Sequence, residues 1–434
     1  MAYSACNCLS FDEWTDLRNR KFLGVTIRSF INMKYEDFFL DFIYLSDEIN
    51  DADVLTTKII ASLAKYDLNV DDILSCSTDN CNLMCKTSEN LNLWRIPCVL
   101  HMLNLIFKVF VESISKKITP IFDLIKYLSN SEHYENYLSR KAFLGLKIKK
   151  VPSYVEVRWT SFCESILILY ETKPYICEFL ATNKILNNIQ SDYLEKLAKL
   201  CEKYKMIVLT YEKDIFGASG CFLADISLIE QMLSEFEHTD FKDGAIKAKE
   251  KIKELRSTHC FFWNCFCPIA LLLNPQIEDI KRLLTTEEIE DSKRIIRTRM
   301  KKYPAYSKQQ QQQDQSSRSR FDVFRLQTNE NEHDEAPLSP IEKLIENRTN
   351  VSDLQMFWRE KFETDEQQLA YVAFEILGTL ITSVLTERSF SKSRYVINNL
   401  RTNISPENAK DQMIIKCNKS IAMEIMQSID VMNL

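Results

Sequence analysis

Apolar residues near the start of the chain come in short blocks of strand length, partly alternating with polar ones. Leu9 to Trp14, Phe22 to Ile31 and Phe38 to Leu45 are such blocks, divided by polar clusters such as Asp16 to Lys21, and each reads as a β-strand. The period then changes. Across Asp51 to Tyr66, Val54, Ile59, Ile60 and Leu63 fall on one side of a helix, and Asp71 to Asp79 returns to a short strand. The expected order is three strands, a helix and a strand. From about Asn80 to Tyr303 helical spacing prevails. Leu100 to Leu128 is strongly apolar, with Pro120 expected to break or kink it. Ile166 to Leu180 (interrupted at Pro174), Tyr193 to Tyr211 and Phe222 to Phe236 carry apolar residues three and four apart.

After Tyr303-Pro304 the pattern is lost. Gln309 to Gln313 are consecutive glutamines followed by Ser and Arg, and Asn329 to Pro340 is acidic, so this stretch reads as a disordered linker. Helical spacing resumes at Ile341, and an apolar stripe through Phe357, Leu369, Val372, Ile376 and Leu380 continues to Leu385. Ser405-Pro406-Glu407 opens a last helix, with Ser as N-cap, Pro at the first helical position and an acid favoured by the helix dipole.

Composition adjusts this picture. Only 6 of 434 residues are glycine, which favours long helices and a modest sheet. The 14 cysteines show no disulfide framework and no signal peptide precedes them, which fits a reducing cytosolic or nuclear compartment. No apolar run approaches the roughly 20 residues that span a bilayer, so no membrane is expected. The net charge of −6 weakly repels nucleic acid, so any DNA contact must be local. Lys293, Arg294, Arg297, Arg299, Lys301 and Lys302 form one basic run, either a solvated helix face or a DNA or nuclear-import contact.

Three acids stand in distinctive words: Asp12 in Phe11-Asp12-Glu13-Trp14-Thr15, Asp79 in Ser77-Thr78-Asp79-Asn80, and Glu387 in Thr386-Glu387-Arg388-Ser389-Phe390-Ser391. Two carboxylates near the front and one near the back, with a long insertion before the last, is the layout of a metal-dependent nuclease or transposase core. Carboxylate oxygens are hard ligands suited to Mg²⁺. A pair of ions about 4 Å apart serves both the attacking and the leaving oxygen of a phosphodiester.

With these words go Pro97-Cys98-Val99-Leu100-His101, then Met102-Leu103-Asn104-Leu105, Arg158-Trp159, Leu273-Asn274-Pro275, and Asn403-Ile404-Ser405-Pro406-Glu407-Asn408. Together they resemble the hAT superfamily of DNA transposases and the host proteins derived from them, from about Leu9 to Asn418. Leu273-Asn274-Pro275 departs from the family's word by Asn for Asp. The resemblance implies an α+β, helix-rich fold. Residues 1–110 would form the first part of a ribonuclease-H-like core, 111–303 an all-α insertion, 304–340 the linker, and 341–434 the dimerisation region with the last part of the core. It implies Mg²⁺ or Mn²⁺ bound by Asp12, Asp79 and Glu387 within a single ion's reach, cleavage and transfer of DNA strands, and sealing of the flanking end as a hairpin. Arg158, Trp159, Arg388, Lys293, Arg294 and Arg297 would contact DNA.

Each residue has a plainer reading beside this one. Asp12 and Asp79 could cap turns. His101, counted with the catalytic residues, could reach the scissile phosphate, hold a carboxylate, or be a satisfied core histidine. Trp159 could be core or could stack on an extruded base. Cys98 and His101, near Cys76, Cys81 and Cys85, lack a second zinc-type word, so no zinc is expected. Trp14 should buttress its strand, with Glu13 and Asp16 solvated. Only eleven residues precede Asp12, so the family's N-terminal BED-type zinc finger is expected to be missing. Two functions follow: an active transposase-like enzyme, or a catalytically silent, dimerising, DNA-associated regulator, either one nuclear. Apolar stripes in Leu369 to Leu385 and after Ser405 (Met413, Ile414, Ile421, Met423, Ile425, Met426) predict a homodimer or higher oligomer that is lost on deleting residues after Ser405.

Overall fold

A computed structural model of the chain describes residues 7–31, 33–45, 51–153, 159–182, 191–304, 339–349, 351–393, 395–397 and 403–419. It is α+β and helix-rich, with one small mixed sheet. The strands are β1 (Asn7–Thr15), β2 (Lys21–Ile31), β3 (Lys34–Leu45), β4 (Ile73–Thr78) and β5 (Trp94–Pro97), in the order β3-β2-β1-β4-β5. The β1–β2–β3 meander is antiparallel, whereas β4 pairs parallel to β1 and β5 parallel to β4. The three leading strands, the helix α1 (Ala52–Ala64) and the strand β4 follow the expected order. β5 is a correction, since the residues after Asn80 read as helical. It has four residues, among them Arg95 and Pro97, too few to show a period, and the proline is tolerated on an edge strand.

Next come α2 (Asn82–Asn90), α3 (Val99–Asn130), α4 (Glu132–Phe143), α5 (Trp159–Glu171), α6 (Lys173–Thr182), α7 (Ser191–Glu212), α8 (Ala218–Phe236) and α9 (Lys242–Thr258). Then follow α10 (Cys267–Leu272), α11 (Ile280–Leu283) and α12 (Thr286–Met300). The chain closes with α13 (Pro340–Glu346), α14 (Leu354–Glu360), α15 (Gln367–Leu377), α16 (Val384–Ser393) and α17 (Pro406–Cys417). Pro174 sits in the first turn of α6, where its missing N–H costs nothing, and the chain breaks before it as expected. Pro120 neither breaks nor ends α3. It lies on the exposed side, so the carbonyl it leaves unbonded can be hydrated, while Ile114, Ile118, Ile121, Leu124, Ile125 and Leu128 keep one buried stripe running past it. The expected linker falls almost wholly outside the described residues.

The sheet buries both faces. Leu9 and Phe11 of β1, with Leu23, Val25 and Ile27 of β2, pack on Leu55, Ile59 and Leu63 of α1 and Met84 of α2. The opposite face carries Phe22, Phe39 and Phe42, covered by Phe390 of α16 and by Ala409 and Met413 of α17. Trp14 is half-buried against Phe22, Phe42 and Phe390, buttressing the strand as expected. Asp41 of β3 pins α17: its buried carboxylate takes Lys410 Nζ at 2.6 Å, Lys65 Nζ at 2.7 Å and the Ser62 hydroxyl at 2.6 Å. Ser405 caps α17 by accepting from the Asn408 amide at 3.2 Å, as expected.

This packing corrects the reasoning from surplus apolar surface. Leu369, Val372, Phe374, Ile376, Leu377 and Leu380 are buried within the chain itself, as is Met413. Ile421, Met423, Ile425 and Met426 lie outside the described residues. Deleting the chain after Ser405 would strip Ala409 and Met413 from the aromatic face, so it tests folding before it tests assembly. Asp16 is also corrected: it is buried, accepting from the Arg18 amide at 2.8 Å, the Arg20 amide at 2.9 Å and Arg20 Nε at 2.7 Å. A carboxylate is tolerated there because the β1–β2 turn surrounds it with donors.

Candidate functional site

Strand alternation places Asp12. With Leu9 and Phe11 facing α1, Ser10, Asp12 and Trp14 face α16. Asp12 pairs across the sheet with Gly24, and there the missing side chain matters. A Cβ on Gly24 would lie 2.5 Å from the Phe390 ring and 3.0 Å from Thr386, so only glycine lets α16 lie this close to the sheet. The Thr386 hydroxyl then meets Ser10 Oγ and Thr26 Oγ1, each at 2.9 Å. Glu387 follows Thr386 and is carried toward Asp12.

The other side of the site is tied in the same way. Asp79 follows the last residue of β4, and its Oδ1 accepts from the Cys81 amide at 3.2 Å. The Cys98 amide donates to the Thr78 carbonyl and the Val99 amide to the Ile381 carbonyl, both at 2.9 Å. The Ser383 hydroxyl lies 2.8 Å from Glu387 Oε1 and 3.3 Å from Cys98 Sγ. The end of β4, the start of α3 and the lead-in to α16 therefore form one hydrogen-bonded frame, with His101 on the first turn of α3 facing it.

The electrostatics report the convergence. The Asp12 carboxyl is pushed up to about 7, first by burial and then by the negative charges of Asp79 and Glu387. His101 is half-buried and held below its usual range, because burial and the charges of Arg95 and Lys251 outweigh the pull of Asp79 and Glu387. Its ring is neutral at pH 7. A cavity of about 440 Å³ opens here, lined by Asp79, His101, Glu387 and Arg388, with Thr160 and Glu212 on the helical side. Among the described residues, no three His, Cys, Asp or Glu side chains stand close enough together to hold an ion, so the expectation that Asp12, Asp79 and Glu387 lie within a single ion's reach is not met. The donors nevertheless suit a hard cation: carboxylate oxygens whose mutual repulsion already lifts Asp12 gain from an added positive charge.

The remaining expected site residues divide. Arg388 borders the cavity, with its guanidinium on the Glu212 carbonyl. Arg158 lies outside the described residues. Trp159 opens α5, one residue before Thr160 on the cavity wall. The basic run on α12 is not brought to the cavity. Lys293 pairs with Glu290 at 2.7 Å, Arg294 with Asp291 at 2.8 Å and Arg297 with Glu342 at 2.7 Å. Arg299 is buried against Glu375 and stacked 4.1 Å from the Trp94 ring centroid. Glu13 is half-buried, not solvated. Cys98 and Cys76 are buried thiols raised by burial, Cys76 to about 12.

Sequence reasoning missed Ser383, Glu212 and His259. Ser383 stands four residues before Glu387, a spacing that puts both on one helical face. Glu212 and His259 carried no local signal. His259, just past α9, is pushed down to about 4 by burial and by the neighbouring Arg95 and His101. None of the helices is long and apolar enough to cross a membrane among the described residues. No curated protein matches the chain. Residues 335–418, which include Glu387, α16 and α17, match the family model for the hAT family C-terminal dimerisation region, and this match supports hAT family membership and self-association.

Proposed function

We propose that this chain is a hAT-type transposase-like protein whose ribonuclease-H-like core cleaves and transfers DNA strands in the nucleus, with assembly through its C-terminal region. The observation that carries the reading is the raised Asp12 carboxyl on β1, lifted first by burial and then by the charges of Asp79 at the end of β4 and Glu387 on α16. Asp12, Asp79 and Glu387 would hold Mg²⁺ or Mn²⁺. When bound, the ion polarises the phosphodiester and lowers the pKa of an attacking water or 3′-hydroxyl. The protein's own groups bind and orient. His101, neutral and half-buried, offers a ring nitrogen to a phosphate oxygen. Arg388 adds positive charge beside the cavity, while Arg158 and Trp159 would take a backbone phosphate and an unstacked base. A base on an aromatic ring is worth about 1–3 kcal/mol.

A second reading has its own support, since the family model that matches describes a dimerisation region. In that reading the same fold is a catalytically silent, DNA-associated regulator. The two separate on supercoiled plasmid and oligonucleotide substrates with Mg²⁺ or Mn²⁺. Cutting by the wild type that is abolished in Asp79→Asn and Glu387→Gln supports the enzyme. Folded, self-associated protein that cuts nothing with either ion, even when fused to a DNA-binding finger, sinks the enzymatic reading and leaves the regulator.

A further inference from the structure

The Asp79 carboxylate sits on the short turn between β4 and α2. β4 ends at Thr78, α2 begins at Asn82, and within the turn Asp79 Oδ1 accepts from the Cys81 amide, with the Cys81 thiol also hydrogen-bonded to the Asp79 side chain. What spans the turn is Arg95, from the edge strand β5. Its Nε donates to Thr78 Oγ1 at 3.1 Å, and its Nη2 donates to the Asp79 carbonyl at 2.7 Å and to Asn80 Oδ1 at 2.6 Å. The guanidinium fork suits this task, with rigid coplanar donors reaching three acceptors that a lysine ammonium could not meet together. Among the described residues Arg95 makes no ion pair with a carboxylate, and its charge helps to hold His101 below its usual range. The same contact sets Asn80. With Oδ1 fixed on Arg95, Asn80 Nδ2 is a buried donor with no acceptor, and turning the amide over would set two donors face to face.

We propose that Arg95 is the positioning residue of the acidic site: its guanidinium bridges Thr78, Asp79 and Asn80 and fixes the turn that presents Asp79 to Asp12 and Glu387. The bridge stands on these contacts alone, while its value for chemistry rests on the reading under Proposed function. β5 then has a purpose beyond extending the sheet, because it is the element from which a side chain reaches the second acid's turn.

Hydrogen–deuterium exchange on the full chain tests this, with Arg95→Ala and Arg95→Lys beside wild type, and Mn²⁺ affinity read by electron paramagnetic resonance. Hydrogen bonds to a charged donor are strong enough that Arg95→Ala should speed exchange at Asp79 to Cys81 about tenfold or more, with α3 and α9 unchanged. Mn²⁺ affinity should fall by a similar factor. Arg95→Lys keeps the charge but cannot span the turn, so it should recover only part of both losses. Unchanged exchange in the turn, or full recovery by lysine, overturns the bridge. A collapse of Arg95→Ala alone does not obscure the result, because Arg95→Lys still reports on turn protection. If Asp79→Asn binds Mn²⁺ as wild type does, the metal reading fails, and the exchange data still decide the role of Arg95.

Discussion

At Asp12 the physical problem is one of uncompensated charge. Its carboxyl rises from 3.8 to about 7 through burial and the neighbouring Asp79 and Glu387. Between those values the folded chain binds more protons than the unfolded chain, so this group's contribution to stability falls as pH rises through the window. Asp12→Asn removes the penalty. At pH 8 the variant should be more stable than wild type by on the order of 2–4 kcal/mol, with little difference near pH 4, as read by urea unfolding. Millimolar Mg²⁺ should narrow the gap by stabilising the wild type. Parallel stability–pH curves for the two proteins would show that Asp12 feels no such repulsion. A residue that weakens the fold and is relieved by a cation is what a functional site produces.

Between elements, the most consequential link joins α12 to α15. Arg299 and Glu375 are both buried, Tyr303 Oη donates to Glu375 Oε2 at 2.9 Å, and the Arg299 guanidinium lies over Trp94 of β5. One ion pair thus connects the helical region, the matched C-terminal segment and the edge of the sheet. Removing one partner strands a buried charge. Arg299→Ala should cost about 3–5 kcal/mol, whereas replacing both residues by apolar ones of similar volume should recover much of it. A loss below about 1 kcal/mol in chemical denaturation would show that water reaches Glu375. The neighbouring Lys293, Arg294 and Arg297 are more exposed or paired within one turn, and neutralising them should alter stability little.

For the molecule as a whole, self-association is the property to measure. The apolar faces of α15 and most of α17 are covered by the chain's own sheet and helices, so they are not spare. Among the described residues, the large apolar side chains that the matched region leaves open are Met356, Tyr395 (71% exposed) and Ile415 (70%), with Lys416 Nζ 4.5 Å from the Tyr395 ring centroid. A second copy seated on this patch would make an isologous dimer if the pair is two-fold. Sedimentation at micromolar concentration should find a dimer, and Ile415→Glu should shift it toward monomer without lowering the melting temperature. A monodisperse wild-type monomer sinks the claim, and an undisturbed dimer in Ile415→Glu moves the interface off this patch.

Local pattern carried a good deal of this protein. The strands β1 to β4, α1, the break at Pro174, the cap at Ser405 and the acidic words at Asp12, Asp79 and Glu387 were legible because alternation, capping and short motifs are properties of neighbouring residues. β5 was not legible, since four residues cannot declare a period. Nor was the continuity of α3, because whether Pro120 breaks a helix depends on whether its freed carbonyl meets water. The site itself was decided only in three dimensions. Gly24 matters because Phe390 packs on it, Ser383 because Cys98 stands beside it, Arg95 because β5 lies next to β4, and the fate of Arg297 and Arg299 because Glu342 and Glu375 arrive from far along the chain. Sequence spells out which groups could act. Packing decides which of them share a cavity and which are spent in ion pairs, because burial and charge act through space and not along the backbone.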